Sequence, residues 1–175
     1  MKKKLLILTD LWGLRKGSFL NHYQDEFKAY FDIRVIDSLE LACIDKRVYT
    51  KESLHRQFIN GGIDRAVERL FLSLEEPVHI LAFSIGGVIA WKAAMRSAYV
   101  EYLTCVSSTR LRLETKRPSC QVSLIFGSNE SFGPMVEWFE AMDTNRIEIS
   151  GGEHDFYRNN REITVITEQV LSPIL

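Results

Sequence analysis

Short apolar runs alternate along the chain with segments whose apolar residues recur at helical spacing. The runs are four to six residues long and mostly apolar or β-branched, as expected of strands buried on both faces of a parallel sheet. Six strands are predicted, at 5–8, 33–36, 78–83, 102–106, 122–126 and 146–149. The pattern therefore predicts strands and helices that alternate through most of the sequence.

The helices are predicted from stripes of apolar residues spaced three and four positions apart. In the first stripe, Leu20, Tyr23, Phe27 and Tyr30 share one face, and Ser18 is a candidate N-cap. The polar and irregular stretch 37–60 predicts a loop with one short helix near 52–58. Further helices are predicted at 63–74, 88–96, 134–142 and 162–171.

Strand and helix alternate about six times, without internal repeats, low-complexity segments or a linker. The sequence predicts that residues 1–175 form a single α/β domain, a three-layer αβα sandwich around a mostly parallel sheet of about six strands. Ligands of such sheets bind beyond the carboxyl ends of the strands. Functional residues are therefore expected in the loops that follow strands.

Composition and charge narrow the class of protein. With 46% hydrophobic residues in 175, the chain can bury a full core without disulfides or a structural metal. The formal net charge of −1, with no long run of one sign, argues against nucleic-acid binding. No window approaches the roughly 20 apolar residues of a membrane helix, so no membrane span is expected.

The cysteines and histidines help to predict the cellular compartment and whether a metal or cofactor is needed. Cys43, Cys105 and Cys120 have no C-x-x-C spacing and are expected to be reduced thiols. The apolar stretch 5–8 after the three lysines is too short for a signal peptide, so a cytoplasmic protein is expected. The four histidines are scattered without the spacing of metal ligands. No metal and no cofactor are therefore predicted.

A serine between the third predicted strand and the helix after it is the first candidate for chemistry. It lies in Ala82-Phe83-Ser84-Ile85-Gly86, where small residues two positions to either side relieve the crowding of a sharp turn. Such a turn exposes the hydroxyl beside the backbone N–H of Ile85, which can stabilise developing negative charge. The alternative is a glycine-bearing turn that only packs closely or binds a phosphate, but the segment lacks the lysine of a P-loop and the G-x-G-x-x-G pattern.

His154 is the candidate general base. A serine hydroxyl is a poor nucleophile until an imidazole within hydrogen-bond reach accepts its proton. The loop 151–156 follows the last strand, which places its histidine at the same edge of the sheet as Ser84. The other histidines, His22, His55 and His79, lie in a predicted helix, the irregular stretch and a strand, where structural or solvated roles are expected.

Glu130, after the fifth predicted strand, is the candidate for the acid that orients His154. A carboxylate fixes the tautomer of the base and stabilises its imidazolium form. The alternative role for Glu130 is to start the next helix, since acids are common at helix N-termini. Glu153 and Asp155 are alternative acids, although side chains next to the histidine rarely point back at it.

The loop after the first strand, 9–13, is the candidate for a second oxyanion donor. Acyl transfer requires two donors aimed at the oxyanion. The backbone N–H of Leu11 is predicted to be the second donor, with that of Trp12 as the next choice. The Trp12 side chain is predicted to contact the substrate, but it could equally well cap the core.

With these loops in this order, the sequence resembles the α/β-hydrolase family from Leu5 to the final helix. The nucleophile elbow of the family, G-x-S-x-G, is present at 82–86 with alanine first, a variant known among small bacterial lipases. The G-x-x-D pattern of the family is similar to 127–130, with Glu130 in place of aspartate. The resemblance implies a reduced α/β-hydrolase fold and a catalytic triad of Ser84, His154 and Glu130.

The sequence departs from the family in two ways. The two antiparallel strands that open the full fold are not predicted, and the connection between the fourth and fifth strands, about fourteen residues, is too short for a helical cap. We therefore expect an open site that suits a bulky or tethered acyl group. Arg110 and Arg112 in this connection could contact an acyl carrier protein, since the family includes esterases of carrier-bound chains, or an anionic substrate. A solvated loop of mixed charge is the simpler alternative.

Together these features predict a serine hydrolase that cleaves a small-molecule or carrier-tethered carboxylic ester or thioester through an acyl-enzyme on Ser84. The competing class is a hydrolase-like binding module without activity, because a fold does not guarantee a function. A flavodoxin-like nucleotide binder is the third class. Geometry and reactivity at Ser84 distinguish the three.

Overall fold

The computed structural model describes residues 2–175, which contain one six-stranded sheet in which all neighbouring strands are parallel. The sheet has the order β2-β1-β3-β4-β5-β6. Every predicted strand is present, and the sheet is wholly rather than mostly parallel. The strands are Lys3–Leu8 (β1), Phe31–Ile36 (β2), Val78–Phe83 (β3), Val100–Val106 (β4), Gln121–Gly127 (β5) and Arg146–Ile149 (β6).

Helices connect the strands on both faces of the sheet. They are Leu20–Phe27 (α1), Ser38–Leu41 (α2), Lys51–Gln57 (α3), Ile63–Leu72 (α4), Ile85–Ala94 (α5), Val136–Ala141 (α6) and Asn160–Leu171 (α7). Short 3-10 turns follow β1, β4 and β6 at Gly13–Lys16, Thr109–Leu113 and Phe156–Arg158. Among residues 2–175, no helix combines the length and the apolar character needed to cross a membrane.

Three local predictions are wrong. α1 ends at Phe27, so Tyr30 lies beyond it and is exposed, and the residue at its N-cap is Phe19 rather than Ser18. The stretch 37–60 contains the additional helix α2, in which the Asp37 side chain accepts a hydrogen bond from the Leu39 N–H at 2.9 Å. A helix of four residues is too short to show an apolar stripe, and only its capping residue marks it in the sequence.

The core consists of two apolar layers, one on each face of the sheet. Leu5 and Ile7 of β1 pack with α1 and α7, whereas Leu6 and Leu8 pack with α4 and α5, because successive side chains of a strand point to opposite faces. All six residues of β3 are buried, as expected of a central strand covered on both sides. The predicted three-layer αβα sandwich is confirmed.

Strands are added to opposite sides of the sheet from β1 and from β3. From β1 the chain continues to β2 on one side, and from β3 it continues to β4 on the other. Such a switch point opens a crevice at the carboxyl ends of the two strands. The loop after β1 and the start of α5 border this crevice.

Candidate functional site

Ser84 occupies a strained turn between β3 and α5. Its φ of 50° and ψ of −115° lie in a region that residues other than glycine rarely adopt. The turn is held from both sides, since the Ser84 N–H donates to the Val106 carbonyl at 2.8 Å and the Ser84 carbonyl accepts from the Gly87 N–H at 3.0 Å. Strain of this kind persists only where the surrounding structure enforces it.

Gly86 allows α5 to approach the loop after β1 closely. A Cβ atom at this position would lie 2.6 Å from the carbonyl oxygen of Thr9 and 3.1 Å from the Cβ of Leu8. The glycine of the elbow is therefore explained by backbone contact. This contact places the candidate oxyanion loop against the N-terminus of the helix that follows Ser84.

A chain of hydrogen bonds joins Ser84, His154 and Glu130. The distance from Ser84 Oγ to His154 Nε2 is 2.9 Å, and the distance from His154 Nδ1 to Glu130 Oε1 is 2.7 Å. An ionised carboxylate can only accept, so a proton on Nδ1 is the tautomer that satisfies this geometry, and it leaves Nε2 free to accept from the serine hydroxyl. The arrangement can deprotonate Ser84 as it attacks an electrophile.

The Glu130 carboxylate is itself fixed. Its Oε2 accepts from the Gly127 N–H at 2.9 Å, and the side chain is 1% exposed, whereas that of His154 is 48% exposed. Neither of the alternative acids, Glu153 and Asp155, forms a hydrogen bond with the His154 ring within residues 2–175, and both are solvent-exposed. Of the three predicted acids, the structure brings Glu130 to the histidine.

The loops that carry Glu130 and His154 pack directly against each other. The Ser128 hydroxyl accepts from the Gly151 N–H at 2.8 Å, and the Asn129 N–H donates to the Gly152 carbonyl at 3.0 Å. A Cβ atom at Gly127 would overlap the carbonyl group of Gly152. These contacts set the distance between acid and base, and sequence reasoning missed them.

The candidate oxyanion donors are the Ile85 N–H, within the elbow, and the Leu11 N–H, in the loop after β1. Trp12, the second choice, donates its N–H to Asp10 Oδ1 at 3.0 Å and is therefore engaged. Within residues 2–175, neither the Leu11 N–H nor the Ile85 N–H donates a hydrogen bond. Ile85 is the first residue of α5, and N–H groups in a first helical turn have no partner in the helix.

The three predicted substrate-binding side chains lie outside the hydrogen-bonded chain. Trp12 is half-buried between the ring of Tyr49, at 5.7 Å between centroids, and the Lys16 ammonium, 3.7 Å from its ring centre. Arg112 donates to the carbonyls of Thr109 at 3.0 Å and Phe132 at 3.4 Å.

Arg110 is half-buried and lies near His55. Burial lowers the pKa of His55, and the positive charge of Arg110 adds to that effect. Contact of Trp12, Arg110 or Arg112 with a substrate stays a prediction.

Sequence reasoning missed a buried polar cluster beside the site. Asp10 is 1% exposed, and its Oδ2 accepts from the Tyr157 hydroxyl at 2.8 Å and from the guanidinium of Arg158. Burial, followed by the Asp10 charge, raises the pKa of Tyr157 well above its usual range. The available signal was an aspartate immediately after the first apolar strand, at the edge of the sheet where ligands bind.

In the part of the chain that the structure describes, no three His, Cys, Asp or Glu side chains come together as a candidate metal site.

Comparisons with known proteins give relatives by structure and none by sequence. No family model matches the chain, and no curated protein matches it. Its structure is similar to that of a serine hydrolase without a lid from Xanthomonas campestris, with 9% identity and a TM-score of 0.63 over 100% of this chain and 84% of the other.

Two further solved structures are similar over nearly their whole length. A monoacylglycerol lipase from Paleococcus ferrophilus has 13% identity and a TM-score of 0.66 over 97% of this chain and 94% of its own. An α/β serine hydrolase homologue from Coxiella burnetii has 13% identity and a TM-score of 0.60 over 100% of this chain and 87% of its own. The chain therefore has the fold of the α/β-hydrolase superfamily.

Proposed function

We propose that the protein is a serine hydrolase that cleaves a carboxylic ester or thioester, with Ser84 as nucleophile, His154 as base and Glu130 as orienting acid. The observation that carries the proposal is the hydrogen-bonded chain from Ser84 Oγ to His154 Nε2 and from His154 Nδ1 to Glu130 Oε1, at 2.9 and 2.7 Å. The strained backbone of Ser84 supports it, because a binding module has no need of that turn.

In the acylation step, Ser84 Oγ attacks the carbonyl carbon of the substrate while its proton passes to His154 Nε2. The carbonyl π electrons move onto oxygen, and the Ile85 and Leu11 N–H groups donate to that oxyanion. When the tetrahedral intermediate collapses, the bond to the leaving oxygen or sulfur breaks. His154 returns its proton to the leaving group, and Ser84 retains the acyl group.

In the deacylation step, His154 takes a proton from water as the water oxygen attacks the acyl carbon. The second tetrahedral intermediate expels Ser84 Oγ, which recovers the proton from His154. The carboxylic acid leaves and the free enzyme is restored. Glu130 stays ionised throughout and stabilises the imidazolium through Nδ1.

The openness of the site bears on the substrate. The connection between β4 and β5 contains one 3-10 turn, Thr109–Leu113, and no helical cap, and half of the His154 side chain is exposed. This supports a bulky or carrier-tethered acyl group. An acidic acyl carrier protein that contacts exposed Arg112 and half-buried Arg110 is the carrier included in the proposal.

The free thiols support the proposed compartment. Cys43, Cys105 and Cys120 are free, and burial raises the pKa of Cys105 above its usual range and that of Cys120 to about 11. Reduced thiols fit a reducing compartment. We therefore include a cytoplasmic location in the proposal.

Intact-mass labelling with a fluorophosphonate tests the proposal. Wild type should gain one adduct, Ser84→Ala none, and Ser119→Ala, which removes an exposed serine elsewhere, should react as wild type does. Reactive protein is then assayed with p-nitrophenyl esters and acyl thioesters. A folded wild type without an adduct contradicts the proposal and favours the inactive binding module.

A further inference from the structure

We propose that Asp10, Tyr157 and Arg158 form a positioning unit that fixes the Leu11 N–H as an oxyanion donor, an inference that rests on the proposed hydrolase function. None of these three side chains belongs to the hydrogen-bonded series Ser84, His154 and Glu130. They lie between the loop after β1 and the segment after His154, and they connect the two.

Asp10 holds the peptide groups on both sides of Leu11. Its backbone carbonyl accepts from the Gly13 N–H at 3.1 Å, and its Oδ1 accepts from the Trp12 N–H at 3.0 Å. The Leu11 N–H belongs to the peptide that starts at Asp10 and has no acceptor within residues 2–175. Its direction is therefore set by the position of Asp10.

Tyr157 and Arg158 in turn hold Asp10 from the histidine side. Both donate to Asp10 Oδ2, Tyr157 through its hydroxyl at 2.8 Å and Arg158 through Nη2. Arg158 also donates from Nη1 to the Lys16 carbonyl at 2.9 Å, so it binds the segment after β1 at both Asp10 and Lys16. The two residues follow His154 by three and four positions, and one segment therefore carries the base and holds the oxyanion loop.

The surroundings keep this unit rigid. The Tyr157 carbonyl accepts from the Tyr23 hydroxyl at 2.8 Å, and the Arg158 guanidinium lies 4.5 Å from the centre of the Phe19 ring. The Asp10 side chain is 2% exposed and that of Arg158 is 24% exposed. A buried ion pair is weak evidence for stabilisation, because desolvation offsets much of the attraction. The Asp10 carboxylate accepts three hydrogen bonds from fixed directions, and these are better explained by a role in orienting the loop after β1 than by stabilisation.

The test compares an ester with its thionoester, in which sulfur replaces the carbonyl oxygen. Sulfur accepts hydrogen bonds poorly, so turnover of the thionoester depends little on oxyanion donors. Asp10→Asn keeps the shape of the side chain and an acceptor for Trp12, but it removes the charge that binds Arg158. Arg158→Met keeps a long stem against Phe19. Tyr157→Phe removes one hydroxyl and is the mildest variant.

In Asp10→Asn and Arg158→Met, we expect kcat for the ester to fall about 10- to 100-fold. This is at most as large as the smaller losses, about 100-fold, seen when an oxyanion donor is removed outright. KM should change less than about twofold. The ratio of ester to thionoester turnover should fall by nearly the same factor, about 10- to 100-fold, and Tyr157→Phe should lower it in the same direction. Damage to the fold alone would slow both substrates equally and leave the ratio unchanged.

Arg96→Met is the matched control, because Arg96 also pairs with a carboxylate, Glu68 at 2.6 Å, and also lies 4.3 Å from a phenylalanine ring. Arg96→Met should keep the wild-type kcat and the wild-type ratio of ester to thionoester turnover. An unchanged ester-to-thionoester ratio in Asp10→Asn, Arg158→Met and Tyr157→Phe would overturn the positioning role, whatever happens to stability. Failure of the proposed function would be seen separately, as a wild type with neither a Ser84 adduct nor ester turnover.

Discussion

Glu130 and His154 differ sharply in exposure, and the difference suits their proposed roles. The buried carboxylate is held by the Gly127 N–H and cannot turn away, whereas the half-exposed imidazole can reach a substrate. A base that must accept and return a proton benefits from an orienting group that does not move.

Glu130→Gln should reduce kcat about 10⁴-fold, by analogy with the loss when the acid of a triad is neutralised. The amide oxygen of glutamine can keep the Gly127 N–H as its donor, which turns the amide NH₂ toward His154 Nδ1. That contact forces the imidazole proton onto Nε2, so the base cannot accept from Ser84. Steady-state turnover of a p-nitrophenyl ester measures the loss.

Glu153→Gln is the control for this substitution, since Glu153 adjoins His154 but is exposed. It should retain wild-type turnover. If Glu130→Gln is active and Glu153→Gln or Asp155→Asn is not, the acid has been assigned to the wrong residue.

His79 gives a pH dependence of stability that is independent of catalysis. It is 2% exposed in β3, between the rings of Phe31 and Tyr102. Burial lowers its pKa, assisted by the Lys3 charge and opposed by Glu101. The unfolded chain therefore binds a proton at His79 more readily than the folded chain, and the free energy of unfolding falls as pH drops below about 6.5.

Urea denaturation of wild type and His79→Phe between pH 8 and pH 5 tests this. The contribution of His79 to the slope is at most about 1.4 kcal/mol per pH unit, and it should disappear in His79→Phe. His22→Phe, which replaces an exposed histidine on α1, should keep the wild-type slope. Identical slopes in wild type and His79→Phe would show that the buried imidazole does not control stability in this range.

At the scale of elements, the site depends on backbone contacts between loops. Ser128, Asn129, Gly151 and Gly152 hydrogen-bond across the gap between the loops after β5 and β6. Because Glu130 and His154 are carried by these same two loops, a change in loop spacing alters the distance between acid and base without touching either side chain.

Gly127→Ala should lower both thermal stability and kcat, the latter about 10- to 100-fold, because a Cβ atom at position 127 would overlap the Gly152 carbonyl. Gly133→Ala is the control on the same loop, where the nearest atom is Phe126 Cδ1 at 3.8 Å, an ordinary contact. It should leave both quantities near wild type. Equal thermal stability and equal kcat in the two variants would mean that the loops after β5 and β6 can move apart without harm to the site.

The sequence predicts elements well where burial dictates a pattern, and poorly where contacts are distant. A strand covered on both faces leaves an apolar run, as β3 does, whereas the edge strands β2 and β6 are mostly half-buried or exposed and were predicted from short runs that contain isoleucine or valine between charged residues. The proximity of Ser84, Glu130 and His154 follows from their order in loops after parallel strands.

For the Asp10 cluster, the sequence signal is Asp10 itself, directly after the first apolar strand, and nothing in the sequence pairs it with its partners. Its partners Tyr157 and Arg158 are 147 and 148 residues away, so no local spacing connects them. The contacts between Gly127 and Gly152 are likewise set by tertiary packing, and each glycine by itself indicates only a turn.

At the scale of the whole molecule, the two apolar layers hold the sheet so that the loops after β1, β3, β5 and β6 meet at one edge. The connection after β4 borders the same edge but is fixed in place. The Trp91 indole donates to the Lys116 carbonyl at 3.0 Å, and the Trp138 indole donates to the Glu114 carbonyl at 2.8 Å. Two anchored carbonyls in a short connection leave no segment there that could swing as a lid.

Ester turnover should therefore show no jump when the substrate concentration crosses its solubility limit, because no cap has to open at an oil–water interface. Rates measured with a short-chain p-nitrophenyl ester, below and above that limit, should follow one saturation curve. Phe132, 70% exposed in the loop after Glu130, is a side chain through which a droplet could adsorb the protein, so Phe132→Ser is measured in parallel. A several-fold jump that persists in Phe132→Ser would show that some part of the molecule does close over Ser84.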